Sequence, residues 1–300
     1  MPTNIFQMII TLNEKEERKA DKSLYSYQNG AISKIFDSFE NSREDYHLLY
    51  QLPTGGGKTV IFSEIVRQYL SNHDKKVLVM THRIELCKQT SKVLSEFGVD
   101  NKVIDSKANL DDQSKYSCFV AMVETLNNRL NDDKLDISGI GLVIIDEAHY
   151  NSFTKLFKFF SNSFILGVTA TPLSSNIELP MTDNYDELIV GESIQDLIKN
   201  EFLASANMYS FNVGLTSLVI GANGDYTVKS SEDLYTNNDM LSKLLVSYEE
   251  KCKGLKTLIF NNGINTSLIV YDMFKTAGYD VAHLDNTASK KERARILNWF

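Results

Sequence analysis

The chain has 300 residues, 43% of them hydrophobic and 23% charged, which is too long for one small domain and too apolar for a disordered segment. Its three cysteines, Cys87, Cys118 and Cys252, lie far apart with no Cys-x-x-Cys pair. That excludes a disulfide framework and a standard zinc spacing, and suits a reducing, cytoplasmic compartment. Net charge is −8, from 31 basic and 39 acidic residues, which taken over the whole chain argues against a nucleic-acid partner.

The opening run Ile5–Leu12 has no basic flank and ends in Glu14, Glu16 and Glu17, so it does not read as a signal peptide. Residues 1–22 are taken as an N-terminal extension. No apolar stretch exceeds strand length, so no membrane partner is expected. His47–Leu52, Val77–Thr81, Ser117–Val123, Gly141–Asp146 and Phe164–Thr169 are short apolar or β-branched runs. Between them, Thr59–Leu70 and Arg83–Phe97 place apolar residues at three- and four-residue spacing. Strands alternating with helices predict a parallel sheet covered on both faces. A helix over Ile194–Phe202 closes this first domain, 23–203.

The same grammar returns in 204–300. Asn207–Val213, Lys256–Phe260 and Tyr279–Leu284 read as strands, Thr266–Ala277 as a helix, and Lys290–Phe300 as the start of another. Residues 214–240, rich in Gly, Asn, Asp and Ser, read as an irregular connection. The expected fold class is α/β, with two tandem domains of mainly parallel sheet covered by helices and the second of them incomplete. Up to Leu203 there are 21 basic and 29 acidic residues, leaving 10 of each beyond it (31 − 21 and 39 − 29). The acidity belongs to the first domain alone, so a positive groove elsewhere is not excluded.

One loop carries explicit chemistry. The strand ending at Leu52 runs into Pro53-Thr54-Gly55-Gly56-Gly57-Lys58-Thr59 and then a helix. Successive glycine N–H groups can wrap a phosphate, aided by the partial positive charge of the helix start. Lys58 can reach the β- and γ-phosphates, and the Thr59 hydroxyl can hold Mg²⁺. The general phosphate-loop pattern has Gly where this chain has Leu52. A second apolar strand, Leu142–Ile145, ends in Asp146-Glu147-Ala148-His149. Asp146 is placed to hold the water shell of a metal, and Glu147 to deprotonate an attacking water.

Together these two motifs resemble the DEAH-type nucleic-acid helicases and translocases of superfamily 2, a group that also accepts an apolar residue at the Leu52 place. The resemblance implies two RecA-like lobes and an ATP- and Mg²⁺-dependent motor. It makes Lys58, Asp146, Glu147 and His149 catalytic, and Thr59 and Asp146 metal-holding. Thr169-Ala170-Thr171-Pro172 is similar to the family's third motif, which gives Thr169 and Thr171 a role in coupling hydrolysis to nucleic-acid contact. Leu24–Gln28 resembles the adenine-reading element, with Gln28 on the base edge and Tyr25 stacking on its face; many relatives carry Arg at the Tyr25 place. The nucleotide set is therefore Tyr25, Gln28, Thr54, Gly55, Gly56, Gly57, Lys58 and Thr59.

The same resemblance sets Thr81, His82 and Arg83 against a sugar–phosphate backbone. Thr125 joins them in place of Glu124, whose carboxylate would repel phosphate and is expected to point away. In the second domain, Leu258–Asn262 resembles the fourth motif and nominates Asn261; His283–Asn286 with Lys290, Glu292 and Arg293 resembles the next segment. The family's last two motifs, with the arginine that closes over the γ-phosphate, are not found. The sequence is thus expected to be the amino-terminal portion of a longer helicase. The implied activity is ATP-driven movement on, or unwinding of, DNA, favoured over RNA, by a monomer. The alternatives are an ATP-gated nucleic-acid- or protein-binding switch without unwinding, and a fragment that binds ATP with little turnover.

Overall fold

A computed structural model of the chain describes residues 24–43, 45–105, 115–131, 139–174, 178–211, 213–222 and 224–300. The described residues divide into two compact units, one up to Ala204 and one from Ser205 to Phe300. The first unit is built on seven strands: β1 (His47–Gln51), β2 (Lys76–Thr81), β3 (Asn101–Ile104), β4 (Cys118–Met122), β5 (Ile140–Asp146), β6 (Phe164–Thr169) and β7 (Glu187–Val190). Their order is β3-β4-β2-β5-β6-β1-β7, and every pairing is parallel.

A parallel sheet needs cover on both faces, and the alternation along each strand supplies it. Leu142 and Ile144 of β5 face one core, with Ile35 of α1 (Ser26–Glu40), Ile61, Phe62 and Ile65 of α2 (Lys58–Asn72), and Leu94 of α3 (Ile84–Glu96). Val143 and Ile145 face the other, with Leu126 and Leu130 of α4 (Val123–Asn131) and Phe153, Leu156 and Phe160 in and just after a 3₁₀ helix, Asn151–Phe159. All seven residues of β5 are buried, as befits the central strand. Gly167 is required where it sits, because a Cβ there would lie 2.6 Å from the Tyr185 hydroxyl. The short helix α5 (Ile194–Lys199) begins at Ser193, whose hydroxyl accepts the Asp196 N–H.

The edge strands β3 and β7 are not among the strands read from the sequence. Each has only four residues, and they take their place by pairing to β4 and β1.

The second unit departs further from expectation. It contains α6 (Val228–Tyr235), α7 (Asn238–Lys251), α8 (Ile264–Thr276) and α9 (Lys290–Trp299). Helices α6 and α7 begin inside the stretch read as irregular; Thr227 and Asn237 cap them by accepting the Ser230 and Met240 N–H groups. Residues 207–211, Lys256–Phe260 and Tyr279–Leu284, expected as strands, carry no strand pairing. Among the described residues the unit's only β contact outside its helices is the Ile220–Tyr226 bridge. Their alternation marks a face, but a strand also needs a neighbour for its N–H and C=O groups, and none is present. Leu258 and Phe260 accordingly stay exposed.

Candidate nucleotide and nucleic-acid site

The motif-bearing loops after β1, β2, β5 and β6 leave the carboxyl edge of the sheet. The pairing register aligns Gln51 with Thr169, Asp146 with Val168, and Met80 with Ile145. Open parallel sheets place ligands at this edge, where loops diverge and helix N-termini point.

The loop between β1 and α2 has the backbone a phosphate cradle needs. Gly55 and Gly57 have φ of +85° and +84°, a left-handed conformation that glycine adopts without strain. A Cβ on Gly57 would also lie 2.6 Å from the Gln28 amide nitrogen. Thr54 and Gly55 are exposed, Gly56 is buried, and Thr59 is half-buried in the first turn of α2. Lys58 is only 9% exposed, and its ammonium donates to the Leu52 carbonyl at 3.2 Å, folded across its own loop.

Asp146, 8% exposed, ends β5 and accepts the Glu147 N–H at 3.1 Å. Burial pushes its carboxyl up to about 6, the Glu147 charge adds to the rise, and the Lys58 charge opposes it. A buried carboxyl with one hydrogen bond and a nearby ammonium is a fitting ligand for a hard divalent cation, which would restore its ionised form. No cluster of three His, Cys, Asp or Glu exists among the described residues, so a metal here would take its other ligands from Thr59, phosphate and water. Glu147 has φ +54°, a left-handed conformation rare outside glycine.

His149 Nδ1 lies 3.0 Å from Thr169 Oγ1 and 3.5 Å from Glu147 Oε2. The Thr169 hydroxyl donates to the Thr171 carbonyl and accepts the Thr171 N–H. The same hydroxyl thus links the His149 ring to the Thr171 backbone. Thr171 makes these contacts through its backbone. The structure therefore brings Lys58, Asp146, Glu147, His149, Thr169 and Thr171 to neighbouring loops of one edge.

Gln28 is buried; its side-chain oxygen accepts the Tyr25 N–H at 3.0 Å. The Tyr25 ring, half exposed, packs on Tyr27 at 5.9 Å and Phe202 at 4.6 Å. Phe202 also meets Tyr27 at 4.9 Å, and the Tyr27 hydroxyl donates to the Gly56 carbonyl at 2.7 Å. A cleft of about 550 Å³ adjoins this cluster, lined by Ser26, Tyr27, Glu192, Leu197, Asn200 and Phe202. Tyr27 and Phe202 were not read from the sequence as site residues. Tyr27 adjoins Gln28 and was open to inspection; Phe202 carries no local signal, being 174 residues on (202 − 28).

The backbone-contact set needs one correction. Thr81 is fully buried, its hydroxyl donating to the Arg83 carbonyl and lying 2.9 Å from Cys87 Sγ. It shapes the turn instead of presenting a hydroxyl to a phosphate. Arg83 is exposed and His82 half-buried. Burial and the Arg83 charge hold the His82 imidazole below its usual range. Glu124 does point into an ion pair with Lys155, at 2.9 Å, and Thr125 is half-buried on the first turn of α4. Asn261, in the second unit, has a buried side-chain oxygen without a hydrogen-bond partner.

A glycine phosphate loop and an Asp-Glu strand end thus share one edge of a single parallel sheet. The family model of the type III restriction enzyme res subunit matches residues 21–174, and the chain belongs to that family. IRC3 of Saccharomyces cerevisiae is 28% identical over 92% of this chain and 42% of its own length. The ATP-dependent DNA helicase MPH1 of Scheffersomyces stipitis is 30% identical over 44% of this chain and 14% of its own. Among solved structures, the Pyrococcus furiosus Hef helicase domain aligns with a TM-score of 0.47 and 20% identity, over 85% of this chain and 53% of that one. The chain spans about half the length of the curated relatives that it matches over most of its own residues. Among the described residues no helix is long and apolar enough to cross a membrane.

Proposed function

We propose that this chain is the ATP-hydrolysing core of a helicase or translocase, with DNA favoured over RNA as its track. The reading rests above all on two buried opposite charges at the same sheet edge: Lys58, after the loop that leaves β1, and Asp146 at the end of β5, the two strands being separated only by β6. Burying such groups is costly, and it is repaid when phosphate and Mg²⁺ complete their coordination.

The Gly55–Gly57 amides and Lys58 grip the phosphates of the substrate ATP, while Thr59 and Asp146 hold Mg²⁺. Bound there, the metal supplies charge neutralisation at the phosphate oxygens. Glu147 orients the attacking water and takes its proton. Gln28 and Tyr25 read the base. His149, with Thr169 and the Thr171 backbone, carries the state of the site to the loops after β2 and β4. There His82, Arg83 and Thr125 meet a nucleic-acid backbone without reading sequence; Asn261 is the second unit's own candidate for such a contact.

The test is ATP turnover with and without single-stranded DNA or RNA, in wild type, Lys58→Ala and Glu147→Gln. The expected result is turnover raised by DNA, and a fall of at least about 10²-fold in both variants, with nucleotide binding kept in Glu147→Gln. A wild-type rate no higher than that of Lys58→Ala sinks the reading. One observation favours a second reading, a nucleotide-gated clamp that grips without unwinding: the described residues of the second unit form no sheet. ATP-dependent DNA binding without displacement of an annealed strand would select it.

A further inference from the structure

Tyr150 belongs to no motif, yet it touches both halves of the functional edge. We propose that its ring is the positioning contact that couples the nucleic-acid-facing loop after β2 to the hydrolytic turn after β5; the proposal rests on the functional reading above. Strands β2 and β5 are neighbours, with Met80 beside Ile145, so their exit loops run side by side. Tyr150 packs against the His82 ring at 4.3 Å and 33°, and against the His149 ring at 4.3 Å and 35°.

On one side lies His82, next to the exposed Arg83 that opens α3. Its Nδ1 is buried without a hydrogen-bond partner, so ring packing, and not a polar tether at that atom, sets the imidazole's position. On the other side, His149 is tied to Thr169 at 3.0 Å and stands 3.5 Å from the Glu147 carboxylate. The Tyr150 N–H donates to the Glu147 carbonyl at 3.2 Å, closing the left-handed turn that aims this residue. Displacing His82 by a bound backbone therefore moves the Tyr150 face. That face is fixed to the turn carrying Glu147 and to the ring that reaches Thr169. Rings in direct contact on both sides of Tyr150 give the two loops a continuous physical link.

The experiment measures ATP turnover of the full chain with and without single-stranded DNA, and DNA affinity by fluorescence anisotropy, for wild type, Tyr150→Leu and Tyr150→Phe. The readout is the ratio of stimulated to basal rate, from which any loss of folded protein cancels. Tyr150→Leu should lower that ratio by at least about fivefold, the lower end of ordinary site-to-site coupling, with DNA affinity held within about twofold. Tyr150→Phe, which keeps the ring, should restore it. An unchanged ratio in Tyr150→Leu overturns the proposal, since a merely structural role lowers both rates alike. A loss in Tyr150→Phe equal to that in Tyr150→Leu overturns it too. Wild-type turnover that ignores nucleic acid would instead overturn the functional reading and this proposal together.

Discussion

Replacing Asp146 with Asn should stabilise the ligand-free protein, and more so at higher pH. In the folded chain the Asp146 carboxyl is raised from 3.8 to about 6, chiefly by burial. The folded state therefore binds its proton more tightly than the unfolded state does. Below about pH 3.8 both states are protonated and the group is neutral in effect. As pH rises through the window from 3.8 to about 6, folding must strip a solvated carboxylate of its water, and stability is lost. Linkage puts the cost at roughly 1–2 kcal/mol at pH 5 and about 3 kcal/mol at pH 8. Asn pays neither. For a unit of this size, at about 2–4 °C per kcal/mol, the gain in melting temperature of Asp146→Asn should grow by about 3–6 °C between pH 5 and pH 8. The assay is thermal unfolding in EDTA across that range. Mg²⁺ and ATP should then raise the melting temperature of wild type and leave that of Asp146→Asn nearly unmoved. A variant less stable than wild type at pH 8, or a difference flat with pH, refutes the reasoning.

Tyr27→Phe removes only the hydroxyl that donates to the Gly56 carbonyl and keeps the ring on Phe202. At about 1 kcal/mol for such a bond, it should raise the KM for ATP by roughly fivefold with kcat little changed, as steady-state kinetics would show. Phe62→Ala empties a fully buried site between α2 and the sheet. It should cost about 3–5 kcal/mol, read as a lower denaturation midpoint at unchanged slope.

The phosphate loop, the Asp146–Glu147 pair and the five long strands of the first unit were legible in the sequence. Each is a local statement: a glycine run between a strand and a helix, or an apolar run of strand length ending in acid. Gln28 was nominated for the base edge by resemblance alone, while its burial and its bond to the Tyr25 N–H came only with the fold. Thr81 shows the limit from the other side. Its residue type suits a phosphate contact, but β2 turns its hydroxyl inward to Arg83 and Cys87. Edge strands β3 and β7 went unread because four residues give too little periodicity to count. In the second unit, Leu258 and Phe260 alternate as a strand would, yet pairing is a property of two segments and the partner is not written in either one.

By itself, then, the sequence determined the chemistry available: which side chains can hold phosphate, metal and a proton, and which local element each one ends. The tertiary structure decided which of them meet. Strand order sets β6 between β1, whose loop leads to Lys58, and β5, which ends in Asp146, and seats β2 against β5, so that Tyr150 reaches both His82 and His149. It also drew Phe202 onto Tyr25 and Tyr27 from far along the chain. The reason is physical: residue type and spacing act over a few positions, whereas burial, the upward push on Asp146 and ring contacts depend on neighbours that only the folded sheet supplies.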